Sequence, residues 1–445
     1  MDVDRAKAVL KPSLAQILPR LFWPALFVCL GFGFAAWAYP LFFSDRINLH
    51  WMRNAAVLKA VHCLTLGQLG LLFLAVLVQA VPVLFHRPQA SVRVSLAGQI
   101  LWGLGVLGLI SYFAGWRTLL VLVVTLSALM AGATILWLQA RAIVAAGTGR
   151  TIAWQGLGPA FLYLGFMLVL GAAMAWGLIK PGLPQDPLQT LQLHIHVGLW
   201  GFAGLAIFGF LPKLLRLFQS STGYATWPQR TSFVAVHGGL GLLFVRWLGY
   251  LPREFETLAG LALLLAALLF AFQISLLLFR ARARRLDSSL ALQLSGVVFL
   301  LVAASLDAWL LAGHGTWRQE AATVVLGLGG FISLTLLGTL QRICAVLGWF
   351  QRFYEAAKTH AVPTAWELIH PKLAWSILPL QSGAASLLAG GLWTGNVNLI
   401  QMGGALGCAA QMATAGLAIG ALTRGKAVDF PDGKNLFEEW VKTQA

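Results

Sequence analysis

The sequence predicts an all-α integral membrane protein with about twelve transmembrane helices in three four-helix repeats. Three observations lead to this fold class. Of the 445 residues, 59% are hydrophobic and only 10% are charged. The apolar residues form runs long enough to cross a bilayer, and one pattern of residues recurs in three of those runs. Soluble domains carry about a quarter charged residues, so the composition excludes the soluble, disordered and fibrous classes.

The predicted spans follow from the thickness of a bilayer. A crossing helix needs roughly 20 mainly apolar residues, because a helix in lipid must satisfy its own backbone hydrogen bonds. The twelve predicted spans are 20–42, 57–84, 92–113, 117–140, 153–178, 190–212, 229–250, 256–280, 289–312, 320–349, 372–392 and 396–424. Since no polar stretch is long enough for a separate soluble domain, we expect one membrane domain, ending in a cytoplasmic tail at 425–445.

The positive charges predict the orientation of these spans. The N-terminus, the even-numbered loops and the C-terminus carry most of the 31 Lys and Arg residues. Because basic residues are retained in cytoplasmic loops, both termini are predicted to lie in the cytoplasm. The strongest basic cluster consists of Arg280, Arg282, Arg284 and Arg285. The net charge of +16 is therefore a topology signal, and the predicted partner is the lipid bilayer rather than nucleic acid.

An internal repeat links helices 2, 6 and 10 of this prediction. The three copies, at identical offsets, are His62, Gly67, Gly70, Ala75 and Gln79; His196, Gly201, Gly204, Gly209 and Lys213; and Val325, Gly330, Ser333, Gly338 and Arg342. They divide the chain into units at 20–140, 153–280 and 289–424, which predicts a pseudo-threefold bundle. Small residues at shared positions indicate close helix packing. The last residue of each copy is interpreted as a snorkelling or capping group at the cytoplasmic end.

The first position of the repeat carries the candidate chemistry. It is His62, then His196, then Val325, so the scaffold does not require an imidazole there. Ionisable residues within spans usually line a cavity or pair with one another, and a bis-histidine haem needs two facing rings. Equal depth in the outer third of related helices makes His62 and His196 candidate haem ligands. The alternative is a role in interhelical hydrogen bonding or proton transfer.

Four more residues are candidates. His194 lies about 200° around its helix from the histidine two residues on, so it is expected to face a second cofactor or the outer surface. His237, in helix 7, is a candidate metal ligand together with His194. Arg246 and Asp307 have comparable depths in helices 7 and 9 and are a candidate ion pair or proton relay. Without any C-x-x-C motif, a haem would be bound non-covalently, as a b-type haem is.

Two stretches resemble the signatures of the NnrS family, bacterial twelve-span membrane proteins associated with haem, copper and the response to nitric oxide. They are His62-x4-Gly67-x7-Ala75-x6-Pro82, and His194-x-His196 followed by Gly201 and Gly209. The three four-helix units also resemble subunit I of haem-copper oxidases, whose helices form three arcs. The resemblance implies a bacterial inner-membrane location, haem with copper in addition, and a respiratory or redox partner protein.

The chain departs from both groups at specific positions. Haem-copper oxidases carry a histidine pair on helix 10 and adjacent histidines after helix 7, whereas this chain has none on helix 10 and only His237 on helix 7. NnrS-like sequences usually place an acidic residue after the helix 2 histidine, where this chain has Cys63. A complete haem-copper centre is therefore not evident. If the protein is an enzyme, it would be a membrane oxidoreductase.

Three function classes remain. The favoured one is an inner-membrane protein that binds haem, with copper in addition, and serves electron transfer or the response to nitric oxide. The second is a polytopic transporter, or a metal-delivery or assembly factor for a respiratory oxidase, because internal repeats and intramembrane polar residues are also typical of transporters. The third is a structural subunit of a respiratory complex with no cofactor of its own.

Overall fold

The computed structural model describes residues 12–43, 54–76, 91–145, 152–180, 186–219, 221, 225–281, 286–358, 360–425 and 428–429. For residues 12–21, 43, 143–145, 358 and 428–429 it describes the backbone alone. Several residues of the sequence analysis lie outside these ranges, namely Gln79, Pro82, Arg282, Arg284, Arg285 and nearly all of the tail.

Long helices make up nearly all of the described chain. They are α1 (Pro12–Phe43), α2 (Ala55–Val76), α3 (Val92–Phe113), α4 (Leu119–Ala145), α5 (Ile152–Gly177), α6 (Pro187–Phe218), α7 (Trp227–Trp247), α8 (Glu254–Phe279), α9 (Ser288–Leu311), α10 (Trp317–Phe353), α11 (Pro371–Thr394) and α12 (Val397–Thr423). The described residues also include two short 3-10 turns, Ala356–Lys358 and Ala365–Leu368. Strands β1 (His360–Ala361) and β2 (Val428–Asp429) form an antiparallel pair.

The hydrophobic character of these helices identifies a multi-pass, all-α membrane protein. Within the described residues, ten helices are long and apolar enough to cross a membrane. The two long helices outside this set are α7 and α11. In α7 the polar residues Arg230, His237 and Arg246 lower the mean hydropathy. The all-α membrane class predicted from the sequence is thus confirmed. Ten of the twelve predicted spans contain a helix that is long and apolar enough to cross a membrane.

Each of α2, α6 and α10 contains a π-helical segment in the same place. The three segments are Cys63–Gly70, Val197–Gly204 and Leu326–Ile332. The residue before each segment is the first residue of the sequence repeat: His62, His196 or Val325. π-helical turns are rare and occur frequently at functional sites. The sequence pattern therefore marks the same local departure from α-helical geometry on three helices.

The second residue of the repeat explains how these helices pack. At each of Gly67, Gly201 and Gly330, a Cβ atom would collide with an aromatic ring of the preceding helix. The facing rings are those of Phe32 on α1, Tyr163 on α5 and Phe299 on α9. Only a glycine lets the two backbones approach this closely, which agrees with the packing role predicted for the small residues.

The helices that carry the repeat meet at the centre of the bundle. In α6 and α10, 78% of the residues in an 18-residue apolar stretch are buried inside the protein, against 33–56% in the corresponding stretches of the other candidate spans. The ring of Phe202 on α6 lies 5.2 Å from that of Phe73 on α2. On another face of α6, the ring of Phe208 lies 6.3 Å from that of Phe331 on α10. Before the π segments, Thr190, Leu193 and His196 on α6 are buried, whereas the residues of α2 at 55–62 are partly buried.

Arg342, at the end of the third repeat copy, departs from its predicted role. Its side chain is 3% exposed, and its Nη2 atom lies 3.1 and 2.8 Å from the two carboxylate oxygens of Asp287. Its Nε atom donates to Ser289 Oγ at 2.8 Å. The prediction of a snorkelling group was wrong, because Asp287 at the N-terminus of α9 provides a partner within the protein and the guanidinium need not reach the membrane surface.

A substitution at a repeat glycine tests this packing. Gly330→Ala is expected to lower the free energy of unfolding by about 1–3 kcal/mol, because the new methyl group must displace the Phe299 ring. Gly241→Ala on α7 is the control, since a Cβ there has no atom within 4 Å. Thermal unfolding of both variants in detergent measures the difference. Equal stabilities would contradict the close contact at Gly330.

Candidate functional site

The candidate histidines cluster at one end of the bundle. His62 precedes the π segment of α2, and His194 and His196 precede that of α6. We call this end, where α2, α6 and α10 begin, the histidine end. Because successive helices run in opposite directions, α7 and α9 finish at this end, and α8 starts there.

His62 is held in one tautomer. Its Nδ1 atom lies 2.7 Å from the carbonyl oxygen of Leu58 in the preceding turn. Since a carbonyl oxygen only accepts, Nδ1 carries the proton and Nε2 keeps its lone pair, an assignment made from the hydrogen-bond network. Among the described residues, Nε2 has no hydrogen-bond partner. The ring packs 5.1 Å from that of Phe113 on α3.

His194 is held in the same way, but by a neighbouring helix. Its Nδ1 atom donates to the carbonyl oxygen of Met167 on α5 at 3.0 Å. Its ring lies over Gly171, where an added Cβ would come within 3.1 Å of it. Within the described part of the chain, Nε2 of His194 is also without a hydrogen-bond partner. His194 and His62 lie close enough for an electrostatic interaction between the two rings.

His196 points away from this pair. Its Nδ1 atom donates to the carbonyl oxygen of Gln192 at 2.7 Å, and its Nε2 atom lies 3.1 Å from Oδ1 of Asp307 on α9. The two histidines of α6 point in different directions, because one side chain reaches α5 and the other reaches α9. With both nitrogens engaged, His196 would have to leave Asp307 before it could bind a metal.

The pair formed by His196 and Asp307 lies among further carboxylates. Glu320 on α10 and Glu256 on α8 are near enough to interact with His196 electrostatically. The second carboxylate oxygen of Asp307, Oδ2, is buried without a hydrogen-bond partner in the described structure. Both nitrogens of His196 face acceptor oxygens, so one proton must lie between Nε2 and Oδ1. This cluster can therefore hold and exchange a proton inside the bundle.

Arg246 is not paired with Asp307 as the sequence analysis proposed. Its Nε atom lies 3.3 Å from Oε1 of Glu256, while Asp307 contacts His196. The reason is the order of the helices: α8 packs along both α7 and α9, so Glu256 at the start of α8 reaches Arg246 first. The candidate pair is thus corrected to two neighbouring pairs that connect four helices.

His237 lies apart from the histidine pair and has its own partner. Its Nδ1 atom is 2.9 Å from the hydroxyl oxygen of Tyr163, and the two rings stack with centroids 5.6 Å apart. Among the described residues, no group of three His, Cys, Asp or Glu side chains could hold a metal ion. His237 and His194 were predicted to be metal ligands together. The described residues contain no cluster of donor side chains that includes them.

One signal in the sequence could have identified the partners of both α6 histidines. Gly171 and Asp307 each lie eight residues after the aromatic residue that faces a repeat glycine, Tyr163 or Phe299. At this shared position, α5 has a glycine that leaves room for the His194 ring, and α9 has an acid that receives His196. If the repeat had been extended to the helices that precede α6 and α10, it would have shown that α9 has Asp307 where α5 has the small residue Gly171.

A double-mutant cycle tests the contact between His196 and Asp307. His196→Ala and Asp307→Ala are each expected to lower the free energy of unfolding by about 1–3 kcal/mol, because each leaves a buried polar partner unsatisfied. The double variant should lose less than the sum of the two. Denaturant unfolding in detergent gives the coupling. The control is His237→Ala combined with Asp307→Ala, for which the losses of unfolding free energy should add. Additive losses for His196→Ala and Asp307→Ala would rule the contact out.

Comparison with known proteins does not assign the chain to a family. No protein-family model matches it, and no curated protein matches it significantly. The resemblance to the NnrS family therefore rests on the motif residues alone. Any function proposed for this site has to be argued from the positions of His62, His194 and His196 and from the charges around them.

Proposed function

We propose that the protein is a bacterial inner-membrane haem-binding protein in which His62 and His194 would hold a b-type haem. One observation carries the proposal: two imidazoles from different central helices interact electrostatically, each with Nδ1 bonded to a backbone carbonyl and with no hydrogen-bond partner for Nε2 among the described residues. The proposed role is electron transfer with a redox partner protein, or the handling of nitric oxide.

The donor chemistry of this pair fits a haem. Bis-histidine ligation uses one nitrogen of each imidazole, and a hydrogen bond from the other ring nitrogen to a carbonyl fixes the tautomer and the direction of the lone pair. His62 and His194 provide both features. His196, the partner for His62 in the sequence analysis, is replaced here because Asp307 occupies its Nε2 atom.

A bound haem would supply one-electron chemistry, and the chain's own residues would hold and orient it. The carbonyl oxygens of Leu58 and Met167 keep the two rings in place. Phe113 packs against the His62 ring and limits access of water to it. The copper that the family resemblance implies has less support, because the described residues contain no group of three His, Cys, Asp or Glu side chains that could hold a metal ion.

We also propose that all twelve helices cross the membrane, as three four-helix units with both termini in the cytoplasm. α7 packs along α8, and α11 packs along α12. In support of this, α8 and α12 are apolar enough to span and the connecting turns are short, so that α7 and α11 would cross beside them. The π segments and glycine contacts at matching positions support the three units, and the distribution of basic residues supports an outward-facing histidine end.

Absorption spectroscopy of the purified protein tests the haem proposal. Protein from haem-replete cells should show a Soret band that shifts on reduction with dithionite. His62→Ala and His194→Ala should each abolish the bis-histidine spectrum, whereas His237→Ala, which alters a histidine bonded to Tyr163, should retain it. His196→Ala is expected to retain the band as well. Loss of the band in His196→Ala but not in His194→Ala would restore the pairing of His62 with His196.

Labelling of introduced cysteines tests the orientation and the crossing of α7. The four native cysteines are buried, so the background should be low. His314→Cys and Tyr250→Cys should react with a membrane-impermeant maleimide in intact cells, because both lie at the histidine end. Lys372→Cys, at the opposite end, should react only after permeabilisation. The reverse pattern would invert the orientation, and protection of Tyr250→Cys alone would show that α7 does not cross.

A transporter or metal-delivery factor is the second candidate, and the buried charges favour it. The buried His196 and the partly buried Asp307 lie beside two π segments, close to the exposed Glu320, and Oδ2 of Asp307 has no hydrogen-bond partner among the described residues. Buried ionisable groups of this kind often mark ion pathways in membranes. Metal uptake into proteoliposomes that is lost in Asp307→Asn but unchanged in His62→Ala would favour this function over haem binding.

A further inference from the structure

A large cleft lies on a different face of α5 from the histidine pair. Its volume is about 850 Å³, which is within the range of small-molecule sites. Four elements form it at the histidine end: the first turns of α4, the last turns of α5, the start of α6 and the end of α7. Leu119, Val123 and Leu248 on its walls are each about half exposed. These exposed apolar side chains show that the cleft is open at the surface of the protein.

We propose that this cleft binds an isoprenoid quinone or quinol that enters from the bilayer. The walls contributed by α4 are aliphatic, which suits an isoprenoid chain. The indole rings of Trp176 on α5 and Trp247 on α7 line the same cleft and offer flat surfaces for a quinone ring. This proposal goes beyond haem binding and does not depend on it.

The polar side of the cleft favours a neutral head group. Thr190 is already engaged, since its hydroxyl accepts a hydrogen bond from Trp247 Nε1 at 3.0 Å. Asp186 accepts from the backbone N–H groups of Leu188 and Gln189. The side-chain amide of Gln189, in contrast, has no hydrogen-bond partner among the described residues and can donate to a quinone carbonyl.

The charges argue against a phospholipid as the occupant. None of the described residues that line the cleft is a lysine or an arginine, and Asp186 is the charged residue among them. An anionic phosphate would therefore meet a carboxylate and no cation, which is unfavourable where little water is present. A quinone head carries no charge and needs only hydrogen-bond donors, which Gln189 supplies.

A smaller cavity shares lining residues with this cleft and also borders charged residues of the site. It has a volume of about 10 Å³, room for about one water molecule. Gln189 and Trp247 line both spaces, and the small one also borders Arg246 and Glu256. A head group beside Gln189 would therefore lie next to a polar, water-sized space that leads to an ion pair, an arrangement suited to a ligand that carries protons.

Photolabelling tests the proposal in the full-length protein in detergent. A short-chain azidoquinone should label peptides from α4 or α7, and decylubiquinone should compete with it. Val123→Trp, which fills the cleft, is expected to reduce labelling at least tenfold. Val124→Trp is the matched control, because the adjacent Val124 is 58% exposed and does not line the cleft, so its labelling should stay within twofold of the parent.

Gln189→Leu should raise the decylubiquinone concentration needed for competition about tenfold, as expected for one lost hydrogen bond.

Two results would overturn the proposal. Equal labelling of the Val123→Trp and Val124→Trp variants would show that the quinone binds elsewhere. Competition by phosphatidylglycerol or phosphatidylethanolamine that matches competition by decylubiquinone would identify the cleft as a lipid groove. The assay gives the same result with or without haem, and labelling of His62→Ala should equal that of the parent. Failure of the quinone site and failure of the haem site are therefore distinguishable.

Discussion

The close approach of α2, α6 and α10 to the helices that precede them determines where the histidines lie. At each contact a glycine within a π-helical segment rests against an aromatic ring, and a methyl group in place of the glycine hydrogen would collide with that ring. The contact sets the depth and rotation of each inner helix. Because His62 and His196 come immediately before these segments, their positions follow from the packing.

The second constraint is the low polarity of the surroundings. A buried polar group without a partner is costly, and the bundle pairs its ionisable residues across helices: His196 with Asp307, Arg246 with Glu256, and Arg342 with Asp287. Against this background, the free Nε2 atoms of His62 and His194 are conspicuous among the described residues. An imidazole held firmly through one nitrogen and free at the other is prepared to bind a ligand.

Much of this arrangement could be predicted from the sequence. The all-α membrane class followed from composition, and the divergence of His194 and His196 followed from helical periodicity. The partners of these residues could not be predicted, because a repeat gives the depth of a residue in its helix but not the order of helices around the bundle. That order places Glu256 between Arg246 and the acid on α9, and it directs His196 to Asp307 rather than to His62.

The two faces of α6 therefore have separate chemistry. One face turns His194 towards α5, and its Nε2 atom has no hydrogen-bond partner in the described part of the chain. The other turns His196 towards Asp307 and the carboxylates of α8 and α10, with a proton held between two side chains. In the proposed function, α6 would separate the haem-binding histidine from the proton-holding pair by two residues, so a change of charge on one face would act on the other over a short, poorly screened distance.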